Sequence, residues 1–352
     1  GCWNTAIGKS ALFCNTTASY NAAFGKNTLK VNTTGTKNTA LGTFTLLANS
    51  TGDLNTASGY RALQANTTAS NNTAVGACSL FANTTGTGNT AVGMNSLVAN
   101  TSGHNNTSSG YRALSENTTG CRNVAIGACA LDDNTTGNNN VAVGFMSLVN
   151  NTTGGFNIGV GKQVLFSTTT GTLNTASGSY AMYKNTSGKC NTAYGSISHY
   201  GNTTGCMNAA YGRDSLRCNS TGCFNTASGS QALCGNSTAS FNTGTGSRAL
   251  TNNTTGTENT GTGYSALKLN TTGNRNVAVG STSLYSNTTG CFNTAIGQVA
   301  LLNNTTANAN TAVGACSLHA NTSGAQNAAV GFRTLAANTT GSNNTASGYY
   351  SL

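Results

Sequence analysis

The sequence predicts an all-β fold, a parallel β-solenoid (β-roll or β-helix) of about 20 coils with 17 residues per coil, running as one continuous domain over residues 1–352. Three observations carry this reading. An Asn stands at positions 4, 21 and 38 and at every seventeenth position through 344, giving 21 starts with no insertion or deletion. The fifth position of the unit is Gly in every copy. Within the opening NTAxG segment the fixed residues alternate with β-branched or variable ones, which is the period of two expected of a strand.

Taken in order, the unit reads NTAxGxxxLxxNTTGxx. Its first five residues form one strand per coil, and a second short strand around xxL or NTT, with Gly at the bends, is expected to close a narrow coil. The third position is Ala except at Ser108, Gly159, Gly244 and Gly261, and the ninth is Leu except at Met182 and His199. These two positions are the predicted interior. Asn4 and Asn21, Gly8 and Gly25, and Leu12 and Leu29 begin the predicted structural ladders. The twelfth position is Asn in every complete copy except Thr168, followed by two Ser or Thr residues and then Gly or Ala, which marks a second fixed corner. Positions 6, 7, 10, 11, 16 and 17 vary, carry almost all the charges, and are expected to face solvent.

A 17-residue unit is too short for a pair of helices and shows no helical period. One coil cannot bury its Ala and Leu alone, whereas a stack buries them continuously, with stability summed over neighbours. At about 4.8 Å per coil, 20 coils would make a rod on the order of 100 Å long.

Composition excludes an ordinary globular domain: charged residues are 6% of the chain, against about a quarter in typical domains, and Pro is absent. The net charge of +10 comes from 16 basic residues dispersed along the chain with only 6 acidic ones, so no nucleic-acid partner is expected. No apolar run approaches the roughly 18 residues of a membrane span, so no membrane insertion is expected. Twelve Cys among small polar residues fit an oxidising, extracellular setting. The chain opens at the fifteenth position of a repeat and closes at the ninth, from which a window of a longer array, or subunits stacked end to end, is expected.

The first-position Asn precedes Thr-Ala in most copies, so a buried ladder of stacked amides explains it. The twelfth-position Asn opens an N-x-[ST] glycosylation sequon in 19 copies: Asn15, Asn32, Asn49, Asn66, Asn83, Asn100, Asn117, Asn134, Asn151, Asn185, Asn202, Asn219, Asn236, Asn253, Asn270, Asn287, Asn304, Asn321 and Asn338. Two readings stand side by side. Outward amides would carry a dense stripe of covalent glycans, while inward ones would form a second Asn ladder. The fourth position is apolar in 14 copies and Ser or Thr in seven; it either lines an outward stripe that packs against another copy or faces the interior.

Among the cysteines, Cys190 with Cys206, Cys206 with Cys223, and Cys218 with Cys234 fall 16 or 17 residues apart, on adjacent coils, which suits disulfide staples. His104, His199 and His319 lie far apart, and the acids are too few to pair with them, so no catalytic site, metal or cofactor is expected. His199 in a Leu slot reads as a packing irregularity.

With NTAxG and NTTG at this spacing, the whole chain resembles the NTAxG-repeat β-solenoids of bacterial tail-fibre-like and surface-adhesin proteins, similar to the heads of trimeric autotransporter adhesins. The resemblance implies a parallel β-roll, an extracellular or virion location and often a trimer. The expected function is a structural subunit of an extracellular filament that self-associates end to end or laterally. The alternatives are an adhesin or viral tail-fibre shaft, touching a receptor or glycan through residues such as Tyr60, Arg61, Tyr111 and Arg112, and an ice-binding protein, on the strength of Thr at the second position in 14 of 21 copies.

Overall fold

The computed structural model describes all 352 residues, which contain no helix and 21 strands of three residues each. The chain divides into two compact units, Gly1–Leu173 and Asn174–Leu352. The first holds β1 (Thr5–Ile7) to β10 (Ile158–Val160), the second β11 (Thr175–Ser177) to β21 (Thr345–Ser347). Each unit is a parallel β-solenoid.

Register follows the repeat without slippage. In the first unit Thr5 pairs with Ala22, Ala6 with Ala23 and Ile7 with Phe24; in the second Thr243 pairs with Thr260, Gly244 with Gly261 and Thr245 with Thr262. Like therefore stacks on like, so every repeat position becomes a row running up the stack.

The strand covers the second to fourth positions, and the expected second strand is absent: the rest of the coil is turns and bends. The backbone explains why. The seventh, ninth and seventeenth positions take positive φ, as at Asn27 (57°), Leu29 (49°) and Lys37 (57°). Alternating the sign of φ about the eighth residue turns successive peptide groups up and down the axis. Asn27 N–H therefore donates to Lys9 C=O at 2.8 Å, in the coil before, and Leu29 N–H to Thr45 C=O at 3.1 Å, in the coil after. The ladder is continuous although the segment is not a strand.

Left-handed φ costs a non-glycine residue about 1–2 kcal/mol. Burying a Leu side chain returns about 1.5–3 kcal/mol, and Leu29 is fully buried. The burial exceeds the strain, which is why Leu persists in a conformation that otherwise favours glycine.

Ala of the third row and Leu of the ninth form the predicted interior. The eighth row joins them, although it reads as a variable position in the sequence. Its Ala, Ser, Thr and Val side chains are almost all buried, and its hydroxyls are bonded, as where Thr28 Oγ1 donates to Gly42 C=O at 2.7 Å. The fifth position admits only glycine for two reasons together: Gly25 sits at φ 137°, and a Cβ there would lie 2.5 Å from the carbonyl oxygen of Gly42.

Candidate functional site

The most ordered chemistry in the molecule is a pair of buried asparagine rails. In the first, Asn38 N–H donates to Asn21 Oδ1 at 2.9 Å, and Asn38 Nδ2 donates to Gly52 C=O at 2.8 Å. In the second, Asn49 Nδ2 donates to Asn32 Oδ1 at 2.8 Å and to the same Gly52 carbonyl at 3.0 Å. One carbonyl of the fifteenth row thus ties both rails of a coil together. The arrangement places Asn4, Asn21 and their successors in the predicted ladder, and it satisfies amides that would each cost about 1–3 kcal/mol if buried without partners.

The second rail overturns the glycosylation reading. From Asn32 to Asn321 the sequon asparagines are fully buried, and at sites such as Asn49, Asn100 and Asn253 both amide hydrogens are engaged. A sugar on Nδ2 would displace one of those hydrogen bonds and would need space in a closed interior. The half-buried Asn15 and Asn338 also turn Nδ2 inward, to Ala18 C=O at 3.4 Å and to Gly341 C=O at 2.9 Å. The Ser or Thr in the middle of the sequon has its own duty: Thr33 Oγ1 donates to Ser50 C=O in the next coil at 3.1 Å.

The rail has two irregularities, at the positions where the sequence departs from consensus. Thr168 stands in place of the rail Asn, and Asn151 Oδ1 in the coil before it has no hydrogen-bond partner. His199 occupies the Leu row, fully buried, and draws Asn219 Nδ2 to its Nε2 at 3.2 Å. Asn202 Oδ1, which that amide would otherwise meet, is left without a partner, as is His199 Nδ1. Burial lowers the His199 pKa to about 3, so the ring is neutral.

Outside, the fourth row projects away from the core, deciding the question the sequence leaves open: Val75 and Val92 are each 40% exposed. The second row shares that face, half-buried to exposed. Aromatic rings stack where they recur on adjacent coils, as Tyr194 on Tyr211 at 5.7 Å and Phe224 on Phe241 at 5.1 Å. Arg61 lies over Tyr60 and Phe81, 5.4 and 5.6 Å from the ring centres, while Arg112 is held by Asp132 at 3.2 Å. A shallow groove of about 520 Å³ beside Tyr264 and Tyr285 contains Lys268, whose Nζ donates to Tyr285 Oη at 3.3 Å.

Sequence reasoning missed the sixteenth row, which it left among the freely varying positions. Its side chains accept the backbone N–H of the same position one coil earlier: Thr36 N–H donates to Asp53 Oδ1 at 2.5 Å, and Cys223 N–H to Ser240 Oγ at 2.9 Å. The signal was present, since 17 of the 21 residues in this row are Ser, Thr, Asp, Asn or Cys, all short side chains able to accept. Cys121 belongs to it; its Sγ accepts His104 N–H at 3.4 Å and lies 3.1 Å from His104 Nδ1, a cysteine–histidine pair that spacing alone did not reveal.

All twelve cysteines are free thiols, so the expected staples are not formed. The structure nevertheless places two of the predicted pairs side by side. Cys206 Sγ donates to Cys223 Sγ at 2.7 Å, and Cys218 N–H donates to Cys234 C=O at 3.0 Å. Cys190 is exposed one coil before Cys206. No protein-family model matches the chain, and no curated protein matches it in sequence.

Proposed function

We propose that this chain is the rigid shaft of an extracellular structural fibre. What supports the reading is where the most constant residues sit. Asn of the first and twelfth rows, Gly of the fifth and Leu of the ninth are all engaged in bonding one coil to the next, as in the Asn38, Asn49 and Gly52 junction. Most outward residues vary from coil to coil, the exposed Ser or Thr of the fourteenth row being the exception. A chain whose constant chemistry joins like to like is suited to bearing load, because each coil adds the same bonds to its neighbours. Lateral self-association belongs on the outward fourth row, where exposed Val, Ile, Leu and aromatic side chains line one face.

Electron microscopy of native material tests this directly. Filaments many times the length of one chain, with an axial repeat near 4.8 Å, support the fibre; single short particles at all concentrations overturn it. A second reading, the shaft of an adhesin or tail fibre, draws on the cation-bearing aromatic cluster of Tyr60, Arg61 and Phe81. Its test is binding to an array of glycans, with Arg61→Ala as the variant that loses the signal.

A further inference from the structure

Cys218 stands in the eleventh row, and the residues of that row one coil before and one coil after are Gly201 and Gly235, the two glycines of the row. Cys218 is exposed, and neither neighbour has a side chain to cover its sulfur. Gly201 is pressed against the same strip of chain: its N–H donates to Arg217 C=O at 2.8 Å, and a Cβ on it would meet that oxygen at 2.8 Å. On the other side, the Cys218 N–H bond to Cys234 C=O at 3.0 Å sets the two cysteines next to each other on adjacent coils, as a disulfide between them requires. Arg217 precedes the thiol. Nearby Asp214 is held by Arg213 Nε at 3.2 Å and lies 3.9 Å from Arg217 Nη1, so two guanidinium groups face one carboxylate and positive charge is left over beside Cys218.

We propose that Cys218 is a nucleophilic thiol site that takes low-molecular-weight disulfides, with Cys234 as the resolving thiol. The Cys218 thiolate attacks one sulfur of the disulfide, forming a mixed disulfide and releasing one thiolate. That thiolate takes the proton of Cys234, whose sulfur then attacks Cys218 Sγ and expels the second thiolate, which is protonated by water. The chain loses two thiols and gains one disulfide, and the reagent is reduced to two thiols. Spacing in the sequence suggests only that these two cysteines could be joined; the geometry adds which sulfur begins.

The electrostatics agree. The hydrogen bond from Cys234 and the charge of Arg217 lower the Cys218 thiol to about 6 against the desolvation of partial burial, while Cys234 is pushed up. At neutral pH Cys218 is therefore mostly thiolate, the reactive form. Cys206 and Cys223 supply the internal contrast: their sulfurs are in contact, yet the hydrogen bond to Cys223 and burial push Cys206 up to about 11, keeping it a protonated and slow thiol.

Limited alkylation with iodoacetamide, mapped by peptide mass spectrometry, ranks the twelve thiols of the intact chain. Cys218 is expected to react roughly tenfold faster at pH 7 than the equally exposed Cys2 and Cys190, with its half-maximal rate near pH 6 and moved upward in Arg217→Gln. Glutathione disulfide is expected to yield the Cys218–Cys234 bond in the native chain and a trapped mixed disulfide on Cys218 in Cys234→Ala. Labelling of Cys218 no faster than of Cys2 and Cys190 overturns the proposal, even should Cys234→Ala fail to fold, and so does a folded Cys234→Ala that traps nothing.

Discussion

A single residue, His199, shows how narrow the tolerance of the interior is. It fills a Leu position, diverts one rail amide, and leaves two polar atoms without partners. Its pKa lies near 3 in the folded chain and near 6.5 when unfolded. Because the folded pKa is depressed, the unfolded chain takes up the proton first as pH falls. Stability is whole above about pH 6.5 and declines by about 1.4 kcal/mol per pH unit from there toward pH 3. Denaturant titrations of the second unit's unfolding across pH 4–7 are expected to show this slope, and His199→Leu is expected to remove it and raise stability at every pH. Thr168→Asn is the matching repair of the other irregularity. It supplies an amide for Asn151 Oδ1 and should add about 1 kcal/mol, read from the unfolding midpoint. Both departures are visible as consensus breaks in the sequence; that each leaves a rail acceptor stranded is a matter of tertiary contact.

At the level of the element, the short strand has one inward residue and two outward ones. The inward Ala was legible because a period of two distinguishes the faces of any strand. The direction of the fourth position was not, because apolar residues there satisfy either an interior or a contact surface. The outward face bears on the ice-binding alternative. Thr of the second row and the fourth-row side chain project together, but Phe24, Tyr194 and Tyr211 rise from that face among the small residues. A flat lattice match is interrupted there, and thermal hysteresis of the purified chain is expected to stay at the level of a control protein. The turn half of the coil was the least legible element. Leu at positive φ and a hydrogen-bonded sixteenth row depend on neighbouring coils to become favourable, and local propensity favours neither.

For the whole molecule, the decisive change concerns the second asparagine row. The nineteen sequons of that row suggest a glycan coat, yet the folded chain turns those amides inward and bonds them. Peptide mass spectrometry of the native protein is expected to show no N-linked glycan on the buried asparagines of that row; glycans on many of them would mean that the second rail does not form as described. The sequence by itself determined the parallel solenoid, its 17-residue register and the Ala and Leu rows, because an unbroken repeat makes each coil the template of the next and leaves like residues no partner but one another. Only the tertiary structure decided that the second row of asparagines is buried as well, which way the fourth row points, and which cysteine stands open between two glycines. Each of those depends on the path of the turns, and that path follows from bonds between coils rather than from the order of residues within one.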